Sequence, residues 1–277
     1  MTADAASPPA AYRRHALPVR LAHWINVLAV TILFMSGLNI FDAYPELHWG
    51  QQSYSGAPAV LAIGANARPD GQVYGYTRLF GREFDTTGWL GLARGADGRL
   101  EPRAFPSWMT IPDFRWLAMA RSWHITFAWL FVLNGLAYLA YSLASRHLRR
   151  DLLPTRGDLR SFGASVRDHL RFRHASGDAA RRYNVLQKLA YLAVILVVLP
   201  LVLVTGLGMS PWANAIGPNW IELLGGRQSA RTIHFACAWI LVLFTLVHVF
   251  QVVITWLWNN LRSMITGRYV VPEARHE

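Results

Sequence analysis

The sequence predicts an all-α membrane protein, a bundle of four transmembrane helices with a long extracytoplasmic loop between helices 1 and 2. Of its 277 residues, 53% are hydrophobic and only 16% are charged. The apolar residues gather into four runs, each long enough to cross the roughly 30 Å hydrocarbon core, which takes about 20 residues of helix. The basic residues stand between those runs and not within them. One membrane domain over residues 1–277 follows, in place of two soluble ones.

The runs place span 1 at about Leu21–Phe41, span 2 at Ser122–Ser145, span 3 at Leu189–Ser210 and span 4 at Thr232–Leu261. Span 4 exceeds the bilayer thickness and is expected to tilt or to continue into water. Pro200, in the middle of span 3, is expected to kink it. Met1–Val19 holds no apolar core, so no cleaved signal is expected and span 1 serves as an anchor.

Basic residues set the expected orientation. Arg13, Arg14 and Arg20 precede span 1. Arg146, Arg149, Arg150, Arg156, Arg160, Arg167, Arg171, Arg173, Arg181, Arg182 and Lys188 crowd the loop at about 146–188. Arg262, Arg268 and Arg275 follow span 4. The positive-inside rule puts both termini and that loop on the cytoplasmic side of the membrane, in contact with lipid. The net charge of +11 is thereby used for topology, and no nucleic-acid partner is implied. Residues 42–121 then lie outside. Eight arginines balance eight acids there, and Trp49, Trp89, Trp108 and Trp116 favour an ordered cap over a disordered linker. A turn at Ala96-Asp97-Gly98 is expected to join two short strands. In the cytoplasmic loop Leu159, Phe162, Val166 and Leu170 recur at helical spacing, as in a helix lying on the inner membrane surface or a solvated basic helix.

The single cysteine, Cys237, rules out a disulfide within the chain. No C-x-x-C-H, Walker or G-x-G-x-x-G motif occurs, which excludes covalent haem and gives no sign of a nucleotide.

Four of the ten histidines fall inside spans: His23, His124, His234 and His248. An imidazole in hydrocarbon is costly and marks function. Span direction sorts the four by depth into an outer couple, His124 with His234, and an inner couple, His23 with His248. His234 and His248 are 14 residues apart, which returns to within roughly 40° of one helix face after a rise of about 21 Å. One helix thus offers two ligands on one side, the arrangement two stacked haems require. A zinc site would need its ligands to converge on one point. The expected cofactors are two haem b, with iron held by His23 and His248 at the inner site and by His124 and His234 at the outer one. Arg20, Arg121 and Arg231 each stand three residues before one of these histidines, either as partners for haem propionates or as markers of span ends. Gly37 lies 14 residues beyond His23, where a missing side chain admits a porphyrin or a close helix. Gly206 and Gly208 share both readings. The histidines outside the spans, His48 among them, are expected to be solvated.

With His23-Trp24, the Arg-x-x-His at His124 and the His234/His248 spacing in view, the chain resembles the bacterial cytochrome b561 and nickel–iron hydrogenase cytochrome b superfamily. It is similar to the formate dehydrogenase gamma subunit and to thiosulfate-reductase-type cytochrome b subunits. Tyr183-Asn184-Val185-Leu186-Gln187-Lys188 resembles a segment that lies beside the inner haem at the quinone site of the gamma subunit. The resemblance implies that Asn184 binds a quinone carbonyl; the residues alone equally allow a helix cap. The long 42–121 cap departs from that subunit and looks more like cytochromes that accompany periplasmic molybdopterin oxidoreductases.

The expected function is a di-haem relay of electrons between quinone and a periplasmic redox subunit, of molybdopterin type or another. Alternatives are a stand-alone superoxide:quinone oxidoreductase, a hydrogenase cytochrome b subunit and a haem-free membrane scaffold.

Overall fold

The computed structural model describes residues 11–52, 58–146, 153–170, 184–210, 215 and 220–270. Tyr183, Arg149, Arg150, Arg171, Arg173, Arg181, Arg182, Arg275, His147, His174 and His276 lie outside these residues, as do the side chains of His169 and Leu170. Four helices are long and apolar enough to cross a membrane: Leu17–Asp42, Leu117–Ala144, Val185–Gly208 and Arg227–Ile254. They are spans 1 to 4. Large apolar side chains such as Leu133, Leu243 and Leu246 stand at least 60% exposed, as lipid-facing residues do.

All four helices start four or five residues before their apolar runs, because polar residues fit well in a first turn. Span 1 takes in Pro18 near its start, where the missing N–H costs nothing. Span 3 begins after Asn184, whose side chain accepts from Gln187 N while Gln187 reaches back to the Asn184 N–H. This reciprocal cap satisfies two donors that the helix start leaves open. Span 3 is composite: α-helix over Val185–Ala193, a π-helical turn over Val194–Val198 and α-helix over Leu199–Gly208. Pro200 lacks an N–H and its ring crowds the carbonyl four residues back; the widened turn sits where that conflict falls. Span 4 ends at Ile254, short of the expected Leu261. Trp256 adopts a left-handed conformation with φ of 75°, and a separate amphipathic helix follows at Leu257–Thr266. The apolar run continues past the break, so hydropathy alone could not mark it.

The chain divides into two compact units. The first comprises residues 1–25, 134–199 and 241–277. In it, strand β1 (Ala11–Arg13) pairs antiparallel with β8 (Arg268–Val270), and the Asn259 side chain brackets Val270 by bonding both its N–H and its carbonyl. Arg20 donates to the Ile265 carbonyl and Trp24 Nε1 to the Met264 carbonyl, tying the start of span 1 to the last helix. Two short helices, Arg156–Arg160 and Phe162–Leu170, occupy the loop where one amphipathic helix is expected. Thr155 and Asp158 form a capping box at the first, and Ser161 interrupts the pair.

The second unit comprises residues 26–133 and 200–240. Here the described residues between spans 1 and 2, called the cap below, are rich in β-strands. Strands β2 (Glu46–Leu47), β3 (Leu61–Ala67), β4 (Val73–Leu79) and β5 (Arg82–Asp85) form an antiparallel sheet in that order. Strands β6 (Gly91–Arg94) and β7 (Leu100–Arg103) form the expected hairpin around Asp97-Gly98. The hairpin packs so closely on the sheet that a Cβ on Gly91, whose φ is 77°, would lie 2.1 Å from the Gly64 carbonyl oxygen; only glycine fits. Leu38, Phe41, Leu47, Ile63, Ala104 and Phe105 form a buried cluster joining cap to span 1. The cap also closes the start of span 4. The Gly50 carbonyl accepts from Gln228 N and Ser229 N, Gln51 Oε1 from Arg227 N, and the His48 carbonyl from Thr232 Oγ1 at 2.7 Å. Orphan donors of the first turn are thus satisfied.

Candidate functional site

Each unit contains one couple of span histidines. In the second unit His124 and His234 face each other with ring centroids 6.2 Å apart and planes at 59°. In the first, His23 and His248 have centroids 6.3 Å apart and planes at 58°. Two imidazoles on opposite sides of one iron place their ring centres about 6.4 Å apart, given a metal–nitrogen bond of about 2.0 Å and a ring radius of about 1.2 Å. Both couples therefore fit an iron held between two histidines. Among the described residues no three His, Cys, Asp or Glu side chains come together as a metal site, so each couple stands as a pair.

The His124–His234 couple is held by a repeated set of contacts. His234 Nδ1 lies 3.0 Å from the Val202 carbonyl and 3.2 Å from Thr205 Oγ1. A carbonyl only accepts, so Nδ1 carries the proton and Nε2 keeps its lone pair for a metal. On the other side His124 Nδ1 lies 3.1 Å from Ser36 Oγ, and the His124 ring also hydrogen-bonds the backbone of Leu33. Ser36 and Thr205 are fully buried. Each hydroxyl donates to the carbonyl four residues back, at 2.6 Å to Ile32 and 2.6 Å to Leu201, which leaves oxygen lone pairs toward the imidazole. Gly37 and Gly206 come next in sequence. A Cβ on Gly37 would lie 3.4 Å from His124 Cε1, and one on Gly206 would lie 3.3 Å from His234 Cε1. The space at Gly37 is thus filled by the His124 ring itself, where the sequence allowed a porphyrin or a helix. Gly208 faces Ile221, Leu224 and Trp220 instead.

The His23–His248 couple is surrounded differently. His23 lies edge-on to Trp24 at 5.2 Å, and His248 stacks on Phe244 at 6.2 Å. His23 Nδ1 is buried without a hydrogen-bond partner among the described residues.

The three arginines part company. Arg231 donates to the carbonyls of Tyr44 and Glu46 and lies over the Phe41 and Tyr44 rings, which anchors the cap. Arg20 donates to Ile265, yet its buried Nε has no partner among the described residues. Arg121 is exposed. Asn184 caps span 3 through Oδ1, leaving its amide Nδ2 as the donor it can offer a ligand. Neighbouring Lys188 is buried and bonds Asp158 Oδ2 at 2.8 Å. His48, expected to be solvated, is 7% exposed and bonds Glu46 Oε2 at 3.2 Å; the cap turns its ring inward.

Ser36 and Thr205 were not among the residues singled out from sequence. The signal was present as a hydroxyl-glycine dipeptide, Ser36-Gly37 in span 1 and Thr205-Gly206 in span 3.

A family model described as prokaryotic cytochrome b561 matches residues 14–267. The chain is 29% identical over 256 residues to a protein of Azospira oryzae named "Putative protein-methionine-sulfoxide reductase subunit YedZ1", covering 92% of this chain and 97% of that one. No solved structure matches. With four apolar helices and most of its length inside that family model, the chain belongs to the prokaryotic cytochrome b561 family and is an integral membrane b-type cytochrome with an electron-transfer role.

Proposed function

We propose that this chain is a single di-haem membrane domain that relays electrons between the quinone pool and a redox subunit on the outer face of a bacterial inner membrane, with both termini cytoplasmic. The observation that carries this reading is the pair of imidazole couples, each spaced for one iron. Bound haem b supplies one-electron iron chemistry at each couple. The protein's residues do the rest. His124 and His234 ligate the outer iron through Nε2, and His23 and His248 the inner one. Arg20 offers its Nε–H, which has no partner among the described residues, to a propionate at the inner site, and exposed Arg121 offers a guanidinium at the outer site. Asn184 Nδ2 donates to a quinone carbonyl near His248, while Oδ1 holds the helix start in place.

The substrate-specific reaction belongs to the partner. The Azospira oryzae relative carries the name of a reductase subunit, which supports reading this chain as a subunit too. The cap, anchored on spans 1 and 4 through Phe41 and Arg231, is the surface that receives the partner, a molybdopterin oxidoreductase or another redox protein.

The experiment is stopped-flow reduction of purified protein by a short-chain quinol, followed in the haem bands. The wild type should show a fast phase that His248→Ala loses and His234→Ala keeps. Equal fast phases in both variants would place quinol oxidation elsewhere and contradict the proposal.

A further inference from the structure

We infer that Ser36-Gly37 and Thr205-Gly206 form two matched cradles that fix the orientation and electron donation of the outer iron ligands, His124 and His234. This rests on reading that couple as haem ligands. The two sites share four features. A fully buried hydroxyl lies within 3.2 Å of the imidazole Nδ1. That hydroxyl donates to the carbonyl four residues back, at 2.6 Å in each case. Each imidazole also hydrogen-bonds the backbone three residues before the hydroxyl, His124 at Leu33 and His234 Nδ1 at the Val202 carbonyl. The following glycine leaves 3.4 or 3.3 Å between an added Cβ and the imidazole Cε1. The same construction therefore occurs twice, on different helices, at the two members of one couple. The inner couple has no counterpart among the described residues, since His23 Nδ1 is buried without a partner.

The chemistry follows from where the protons lie. Each hydroxyl hydrogen is committed to its own helix, so the oxygen faces the imidazole as an acceptor. An Nδ1–H held by two acceptors makes the ring a stronger donor at Nε2 and favours ferric over ferrous iron. The glycine lets the ring edge lie against the helix backbone, and the hydroxyl and carbonyl fix its rotation. The cradles thus set the 59° angle between the two rings. Crossed axial rings give ferric low-spin haem a strongly anisotropic electron paramagnetic resonance signal, with one large g-value that moves as the angle changes. Ser36 and Thr205 are positioning residues that act through the histidines.

The test uses full-length protein with Thr205→Val and Ser36→Ala, each with its hydroxyl-retaining partner, Thr205→Ser and Ser36→Thr. Gly206→Ala probes the close contact. Thr31→Val is the control, because among the described residues the Thr31 hydroxyl bonds its own helix alone, at 2.8 Å to Val27. The readouts are redox titration of each haem and the ferric resonance spectrum. Thr205→Val and Ser36→Ala should raise the midpoint of one haem and shift its largest g-value, with the other haem and the Thr31→Val protein unchanged. The hydroxyl-retaining variants should restore both readouts, and Gly206→Ala should shift the g-value. Loss of one haem from Thr205→Val with recovery in Thr205→Ser also supports the cradle, the remaining haem reporting an intact fold. Unmoved midpoints and g-values, an equal shift in Thr31→Val, or haem loss that Thr205→Ser does not reverse would overturn it. A colourless wild type sinks the haem reading and the cradle together. A red wild type with unmoved variants sinks the cradle alone.

Discussion

Lys188 Nζ and Asp158 Oδ2 stand 2.8 Å apart and tie the helix Arg156–Arg160 to the first turns of span 3. The Lys188 side chain is 10% exposed and that of Asp158 is 26% exposed, so the ammonium has little water to replace its partner. The hydrogen bond from Lys188, followed by that from the Thr155 backbone, holds the Asp158 carboxyl down at about 2.

The sign of the resulting pH dependence is set by that depression. A carboxylate held below its ordinary value of 3.8 contributes stability that is present above the ordinary value and lost as pH falls through the depressed one. Amide hydrogen exchange across Arg156–Ser161 should therefore be slow and constant at neutral pH, and should quicken as pH is lowered from 4 towards 2, in pulse labelling corrected for intrinsic rates. Asp158→Asn should already show fast exchange at pH 7. A variant with wild-type protection would remove this ion pair from the account.

The junction between cap and span 1 rests on a charge with almost no access to water. The Arg103 side chain is 0% exposed and that of Asp42 is 1% exposed. Arg103 donates to the Phe105 and Asp113 carbonyls, to Glu101 and to Thr110. Arg103→Ala strands those acceptors and the buried Asp42, at a cost of about 3–5 kcal/mol. Limited proteolysis should then cut the cap at lower temperature than in the wild type, while far-ultraviolet circular dichroism keeps the helical signal. An unchanged cleavage temperature would show that the guanidinium is dispensable.

Asn184 has two roles that separate by substitution. Asn184→Ala removes both the cap, worth about 1 kcal/mol, and the amide donor. Asn184→Asp keeps an N-cap acceptor, loses the donor and adds a negative charge that a helix N-terminus tolerates. If the amide binds quinone, both variants slow haem reduction by quinol, and Asn184→Asp does so with wild-type thermal stability. Wild-type kinetics in Asn184→Asp would leave Asn184 as a cap only.

How far the sequence reaches is clear from particular residues. The four spans were legible because an apolar run of membrane length has few other readings. The juxtaposition of His124 with His234, and of His23 with His248, follows from depth and helical period. Asp97-Gly98 announced its hairpin because few other residue pairs suit such a turn. The end of span 4 was hidden, since Val252, Val253, Ile254 and Leu257 read as one run and only the left-handed Trp256 breaks it. Ser36 and Thr205 were hidden for another reason: a hydroxyl in a membrane helix ordinarily bonds its own backbone, and only the three-dimensional neighbour shows the second use. Arg231 could not be told from a propionate partner, because its carbonyl acceptors lie some 185 residues away in sequence.

If the two histidine couples each hold one haem b, the chain carries two haems. Pyridine haemochrome quantitation on purified wild type, His234→Ala and His248→Ala tests it most directly. Two haems per chain are expected in the wild type and one in each variant, with reduced-minus-oxidised spectra showing that the two variants retain different haems. Two haems in either variant, or none in the wild type, would contradict it.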